Sequence, residues 1–342
     1  MILFPFAEYW WLYAAFTATV LALLSLDLGL LHRTPRPVGF GEAAAWTAGW
    51  VTLGLAFNVG LYFYAARAFA ADPRLARAAG FDADGAAWQT ALEFLTGYVI
   101  EYALSVDNIF VFVLVLGYFA VPAAYQHRVL FYGILGALVF RAVFIALGSM
   151  LIQFHWVLYV FGAFLIVTGF KLALSESSVD VDRNLLLRLL RRLLPITRQF
   201  RGQRFFTREG GRLHATPLFV ALVALEATDV MFAIDSVPAI YGVTREPFIV
   251  FTSNIFAILG LRSLYFLLGG AVEKFHLLRY GLAAVLIFVG LKMVWLDEWY
   301  GGKFPIGLSL AIIASVIGAA VAISVLAPRR PASRPLARSE EA

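Results

Sequence analysis

The chain has no cysteine, and only four of its 342 residues are methionine, the first included. Disulfides and thiolate metal sites are therefore excluded, and a thioether path for copper is not expected. Charge is scarce as well: Asp, Glu, Lys and Arg make up 14% of the chain, where soluble domains hold about 25%. Catalytic signatures are missing too. There is no His-Glu-x-x-His pair, no Gly-x-Ser-x-Gly elbow and no phosphate loop of the Walker type, so an enzyme is not expected. No basic region precedes the first apolar run, which is also too long for a signal peptide, so it reads as a membrane helix. With no organelle transit peptide in front of it, the expected location is a bacterial plasma (inner) membrane.

What is present is hydrophobic. Apolar residues make up 61% of the chain and the mean hydropathy is +0.82, which defines a polytopic membrane protein. About 20 apolar residues cross a bilayer, and nine such stretches can be drawn, roughly 9–31, 43–66, 88–116, 128–151, 156–174, 217–241, 248–270, 277–296 and 304–327. Basic residues set the orientation. With the N-terminus outside and the C-terminus in the cytoplasm, the inner side holds Arg33, Arg36, Arg128, nine arginines between 183 and 212, Lys274, Arg279 and four arginines beyond 328. The outer side keeps Arg67, Arg74, Arg77, Arg245 and Lys303. The net charge of +5 thus belongs to topology, and no nucleic-acid partner is expected. Residues 184–194 place Arg188, Arg191 and Arg192 opposite leucines, as in a helix lying on an anionic inner leaflet. Residues 205–215 read as a small hairpin around Gly210-Gly211, and the Pro/Arg-rich tail from Pro328 as disordered.

The polar residues repeat. Glu101 stands six residues before Asp107, and Asp229 six before Asp235. Arg141 stands fourteen before His155, and Arg262 fourteen before His276; sixteen residues then separate His155 from Lys171 and His276 from Lys292. Thr168-Gly-Phe-Lys171 matches Val289-Gly-Leu-Lys292. Each unit holds three spans, an odd number, so the second enters from the opposite face. The predicted fold is therefore all-α, with about nine transmembrane helices and two inverted three-helix repeats. Residues 1–87 form two leading helices, 88–174 the first repeat and 175–216 a basic cytoplasmic loop. Residues 217–296 form the second repeat, and 297–342 a last helix with its tail. Secondary transporters of this design place their site near the midplane, where the repeats meet.

Carboxylates inside a membrane cost at least about 2.5–3.5 kcal/mol each, so they are paired or line a path. Seven residues apart on a helix, Glu101 and Asn108 share a face, as do Asp229 and Ser236. Asp107 and Asp235 lie about 120° away. Pro238 lacks an amide hydrogen and crowds the Ile234 carbonyl, so a kink or break beside Asp235 would turn that side chain inward. Glu101, Asp107, Asn108, Asp229, Asp235 and Ser236, with Glu226 as a further candidate, would then surround one ion with oxygens, a set that suits manganese or magnesium. Such crowded carboxylates would share protons and open a route to proton exchange. The competing arrangement is a set of buried Asp/Glu–Arg pairs that hold helices together. Arg141 and Arg262 are expected as structural groups or as counter-ions when the metal leaves, while Lys171, Lys292 and Asn254 border the path or snorkel.

At these residues the sequence closely resembles the TerC family of integral membrane proteins, named for tellurium resistance. The resemblance rests on Glu101-Tyr-Ala-Leu-Ser-Val-Asp-Asn108, on Thr216-Pro-Leu218, on Glu226 to Ile240 and on Ser253 to Tyr265, and covers roughly Val38 to Trp295. It implies a multi-pass exporter of divalent metal, chiefly Mn2+, related to the lysine-exporter superfamily. Mn2+ is then the transported substrate, and no prosthetic group is expected. The alternative is a membrane scaffold or biogenesis factor linked to tellurite resistance or to the metallation of exported proteins.

Overall fold

A computed structural model of the chain describes residues 2–26, 39–77, 80–174, 195–197, 199–209, 211–268, 275, 277–301 and 304–326. The expected surface helix at 184–194, His276 and the tail lie outside these residues, as does the side chain of Asp107. Among the described residues, nine helices or helix pairs are long and apolar enough to cross a membrane. They begin with α1 (Phe6–Leu26), α2 (Phe40–Ala71), α4 (Ala83–Tyr118), α5 (Ala123–Leu151) and α6 (His155–Leu174), with a single turn, α3 (Pro73–Ala76), after α2. Strands β1 (Phe206–Glu209) and β2 (Arg212–Ala215) pair antiparallel, so the hairpin stands where its glycines predict; Gly211 takes a φ of 81° that suits it. The spans resume with α7 (Pro217–Tyr241), then α8 (Pro247–Leu259) with α9 (Leu261–Leu268), α10 (Leu278–Leu291) and α12 (Ile306–Leu326). A π turn at Lys292–Leu296 and the short α11 (Asp297–Trp299) extend α10.

At 1.5 Å per residue, the 36 residues of α4 reach ~54 Å, well beyond the ~30 Å hydrocarbon core. Its first turns therefore stand outside the apolar layer, and Asp84 there needs no partner in lipid. Because successive spans alternate, the two faces of the bundle differ. One carries the exposed tryptophans Trp10, Trp11, Trp88, Trp156, Trp295 and Trp299, residues that prefer the membrane boundary. The other carries the β-hairpin.

Packing crosses the chain. α4 lies along α8, and α7 lies along α5. The densest pairing joins α6 to α10, where backbones touch: a Cβ on Gly290 would sit 2.6 Å from the Gly162 carbonyl, and one on Gly169 would sit 2.8 Å from the Ala283 carbonyl. Contacts that climb one helix while descending the other make the pair antiparallel. α2 covers α4 and α12 covers α10, while α1 feeds Phe16 onto Phe57, Phe251 and Phe256. Large apolar side chains such as Val59, Val139, Val167 and Val325 stay exposed, as lipid requires of a bundle whose backbone bonds are satisfied inside its helices.

One expectation fails here. α7 is helical without interruption from Pro217 to Tyr241, with Pro238 inside it. The loss of one amide is absorbed within a helix packed on α4, α5 and α6, so no unwound segment turns Asp235 inward.

Candidate functional site

Four helices meet at Arg141, a residue of α5 with 0% exposure. Its guanidinium donates to the Glu101 carboxylate of α4, in a close ion pair. It also donates to Asn254 Oδ1 of α8 at 2.7 Å, to Ser236 Oγ of α7 at 3.3 Å and to Asp229 Oδ1 of α7 at 3.5 Å. Asn254 turns its amide nitrogen to Glu101 Oε2 at 3.3 Å, so both ends of that amide are used. One cation thereby ties together carboxylates from two helices that are 128 residues apart in the chain. Leaving either carboxylate buried without a partner would be costly, and Arg141 meets that need.

The neutralisation is uneven. Glu101 has two donors, whereas Asp229 has only the longest of the Arg141 contacts, and its Oδ2 has no hydrogen-bond partner among the described residues. Asp229 lines a cavity of about 10 Å³ together with Gly133, Ala137 and Arg262, a space on the scale of one water. One turn nearer the hairpin on α7, Glu226 also carries a buried oxygen, Oε2, with no partner among the described residues.

The remaining candidates are placed elsewhere. Asp235 accepts a hydrogen bond from Thr168 of α6 and has Lys171 close by; it faces α6, away from Arg141, as its 120° offset on an unbroken α7 dictates. Asn108 is buried in α4. The backbone of Asp107 belongs to the same helix, but its side chain lies outside the described residues. Lys171 is exposed. Lys292 is buried and donates to the Gly242 carbonyl at 2.7 Å, with Asp297 at 3.7 Å, so it serves a loop closure and does not snorkel. His155 stands exposed at the start of α6. Of the expected ion cage, then, Glu101, Asp229 and Ser236 gather on Arg141, with Asn254 beside them. Among the described residues no three His, Asp or Glu side chains come together as a metal cage.

Two features escape the sequence. Gly136 of α5 makes room for Glu226, since a Cβ there would run into its carboxylate; the signal was a Gly133/Gly136 pair on one helix face. At the tryptophan face, Glu246 accepts from the Leu3 and Phe4 amides at 2.8 and 3.2 Å, and its own amide donates to Thr244 Oγ1 at 3.2 Å. Thr244 in turn donates to Glu93, which also accepts from Gln89 at 2.7 Å. This chain links the leading segment, α4 and the α7–α8 connection. Burial pushes the Glu246 carboxyl above its ordinary value, against the two amides that favour the anion. No sequence signal marks it.

A profile of the TerC family of integral membrane proteins matches residues 86–332. An uncharacterized membrane protein of Myxococcus xanthus is 50% identical over 320 residues, covering 93% of each chain. Proteins named putative membrane-bound redox modulator Alx are 44% identical in Photorhabdus laumondii, over 92% of this chain and 94% of that one. In Escherichia coli K12 the Alx protein is 45% identical, over 90% of this chain and 91% of that one. No solved structure matches the chain. A multi-pass helical bundle with buried carboxylates on α4 and α7, matched over most of its length in this way, belongs to the TerC family of integral membrane proteins.

Proposed function

We propose that this protein exports a divalent cation, Mn2+ foremost, across a bacterial inner membrane by alternating access, with Arg141 as an internal counter-ion. The observation that carries the reading is the buried Glu101–Arg141–Asp229 cluster, completed by Asn254 and Ser236. Its donors are all oxygens once the guanidinium is set aside, the set that suits Mn2+ and Mg2+. A guanidinium and a metal ion compete for the same carboxylates. When the ion arrives Arg141 gives them up, and when the ion leaves Arg141 returns, so neither state leaves the carboxylates without a cation.

The reciprocal packing supports two inverted units. α4 on α8 and α7 on α5 are the same pairing read from opposite units, and α6 meets α10 through matching glycines. Such an interface has two alternative closures by construction. The N-terminus and tryptophan face are then outside and the hairpin inside, following the basic residues. The redox name of the Alx relatives fits only indirectly. With no cysteine, this chain has no thiol to exchange, and an effect on redox balance would run through the supply of a redox-active metal.

The test is Mn2+ uptake into inside-out vesicles, comparing wild type with Glu101→Gln, Asp107→Asn, Asp229→Asn and Asp235→Asn at matched expression. Loss of uptake in folded Glu101→Gln and Asp229→Asn is expected. Normal uptake in both removes the cluster from the ion path. A scaffold reading draws on the same cluster, since Arg141 also cross-links four helices. Purified wild-type protein that moves no Mn2+ in liposomes would favour that reading.

A further inference from the structure

The exposed side chains of α5 form a stripe. Tyr132, Val139, Val143 and Met150 are all exposed, and their spacing keeps them on one side of the helix. On a spanning helix such a side meets lipid. Arg128 stands four residues before Tyr132 and so lies on the same side. With 29 residues, α5 is ~43 Å long, so a hydrocarbon core of ~30 Å centred on it begins about 7 Å from its first residue. Arg128, ~7.5 Å along the helix, is at the boundary between acyl chains and headgroups. There the hairpin segment meets it. The guanidinium lies 5.3 Å from the centre of the Phe205 ring and 5.7 Å from that of Tyr132, and the two rings pack edge to face at 5.1 Å. Cation–π contact holds the guanidinium in place without neutralising it. Among the described residues no carboxylate pairs with Arg128, and its buried Nε has no acceptor. Arg204 and Arg208 add exposed positive charge, while Glu209 is taken by Arg201 at 2.7 Å. Phe206 and Leu213 stay exposed on the hairpin face that carries Arg208.

We propose that Arg128, Tyr132 and Phe205, with Arg204 and Arg208, form a binding site for the headgroup of an anionic phospholipid. The guanidinium, held at headgroup depth by two rings, takes the phosphodiester through its planar fork of donors, and the acyl chains run along the stripe from Val139 to Met150. Depth and the adjoining apolar stripe select a lipid over a soluble anion. A zwitterionic headgroup would bring its own cation against three arginines, so a net negative one is preferred. The bound lipid pins the hairpin, which lies between the two halves of the chain, to α5. The orientation proposed above makes this the inner leaflet; the site itself does not depend on transport.

Native mass spectrometry of the purified full chain in detergent, titrated with phosphatidylglycerol or phosphatidylcholine, gives the Kd for each lipid. Wild type should hold phosphatidylglycerol about 10-fold more tightly than phosphatidylcholine. Arg204→Gln and Arg208→Gln should each raise the phosphatidylglycerol Kd about fivefold, the contribution of one basic residue near an anionic surface. Arg128→Lys is the decisive variant. It keeps the charge and gives the fold no reason to fail, yet it gives up the planar fork and its stacking on the rings. It should therefore raise the Kd about 10-fold, and Phe205→Leu should do the same. An Arg128→Lys chain that binds phosphatidylglycerol as wild type does leaves only a diffuse basic surface and overturns the site. Equal affinity for the two lipids, or no phosphatidylglycerol retained by wild type, overturns it as well. Excess inorganic phosphate should leave the lipid bound; if it empties the site, the ligand is a soluble anion and the assignment to lipid fails.

Discussion

Arg141→Ala separates a counter-ion from a passive cross-link. The substitution removes the cation that, among the described residues, pairs with both Glu101 and Asp229, and leaves both carboxylates inside the bundle. Removing one partner of a buried pair costs about 3–5 kcal/mol, because the other charge stays behind without compensation. With two carboxylates released the loss belongs at the upper end of that range, although Asp229, held at 3.5 Å, contributes less than Glu101. A cation that fits the vacated space restores part of this. Mn2+ at 100 times its Kd should return about 2.7 kcal/mol to a species that binds it only when folded. Wild type gains less from the same concentration, since the ion must first displace Arg141. Denaturant unfolding in detergent, followed by tryptophan fluorescence with and without Mn2+, measures both effects. The double variant Glu101→Leu with Arg141→Leu should recover stability in metal-free buffer, as apolar replacements of buried pairs do, yet gain nothing from Mn2+. The counter-ion argument fails if Arg141→Ala unfolds where wild type does, or if Mn2+ stabilises the two equally.

Other perturbations probe other parts of the molecule. Gly290→Ala drives a methyl toward the Gly162 carbonyl, 2.6 Å from the Cβ position; the α6–α10 contact should open at a cost of about 1–3 kcal/mol, visible in unfolding and in lost uptake. The Glu246 carboxyl, lifted by burial above its ordinary 4.5, binds its proton more tightly in the folded state. The stability this confers is full below 4.5 and is lost as pH rises through the lifted value. Glu246→Gln should flatten that slope in unfolding curves recorded across the window. Tyr241→Phe deletes the hydroxyl that donates to the Ile145 carbonyl at 2.7 Å and should cost about 1 kcal/mol without changing Mn2+ affinity.

Much of this molecule is readable in one dimension. Hydropathy marks the nine spans because a bilayer acts on each stretch of about 20 residues separately, and the hairpin at 206–215 follows from two adjacent glycines. The spacings that join Glu101 to Asp107 and Asp229 to Asp235 mark the two helices whose buried carboxylates meet at Arg141, and the arginines announce a partner for them. What could not be read is who faces whom. The sequence allows Asp229 and Asp235 equal claims to the centre, but an unbroken α7 sends one toward Arg141 and the other toward Thr168. Expecting Pro238 to unwind the helix weighed a local defect without the neighbours that absorb it. The Gly136 slot and the grip of Glu246 on the Leu3 and Phe4 amides depend on residues 90 and about 240 positions apart. Burial and helical phase are properties of short stretches and are written in the chain. The partner of each buried charge is decided only when distant helices pack, because a carboxylate in lipid takes whichever donor the finished bundle brings within reach.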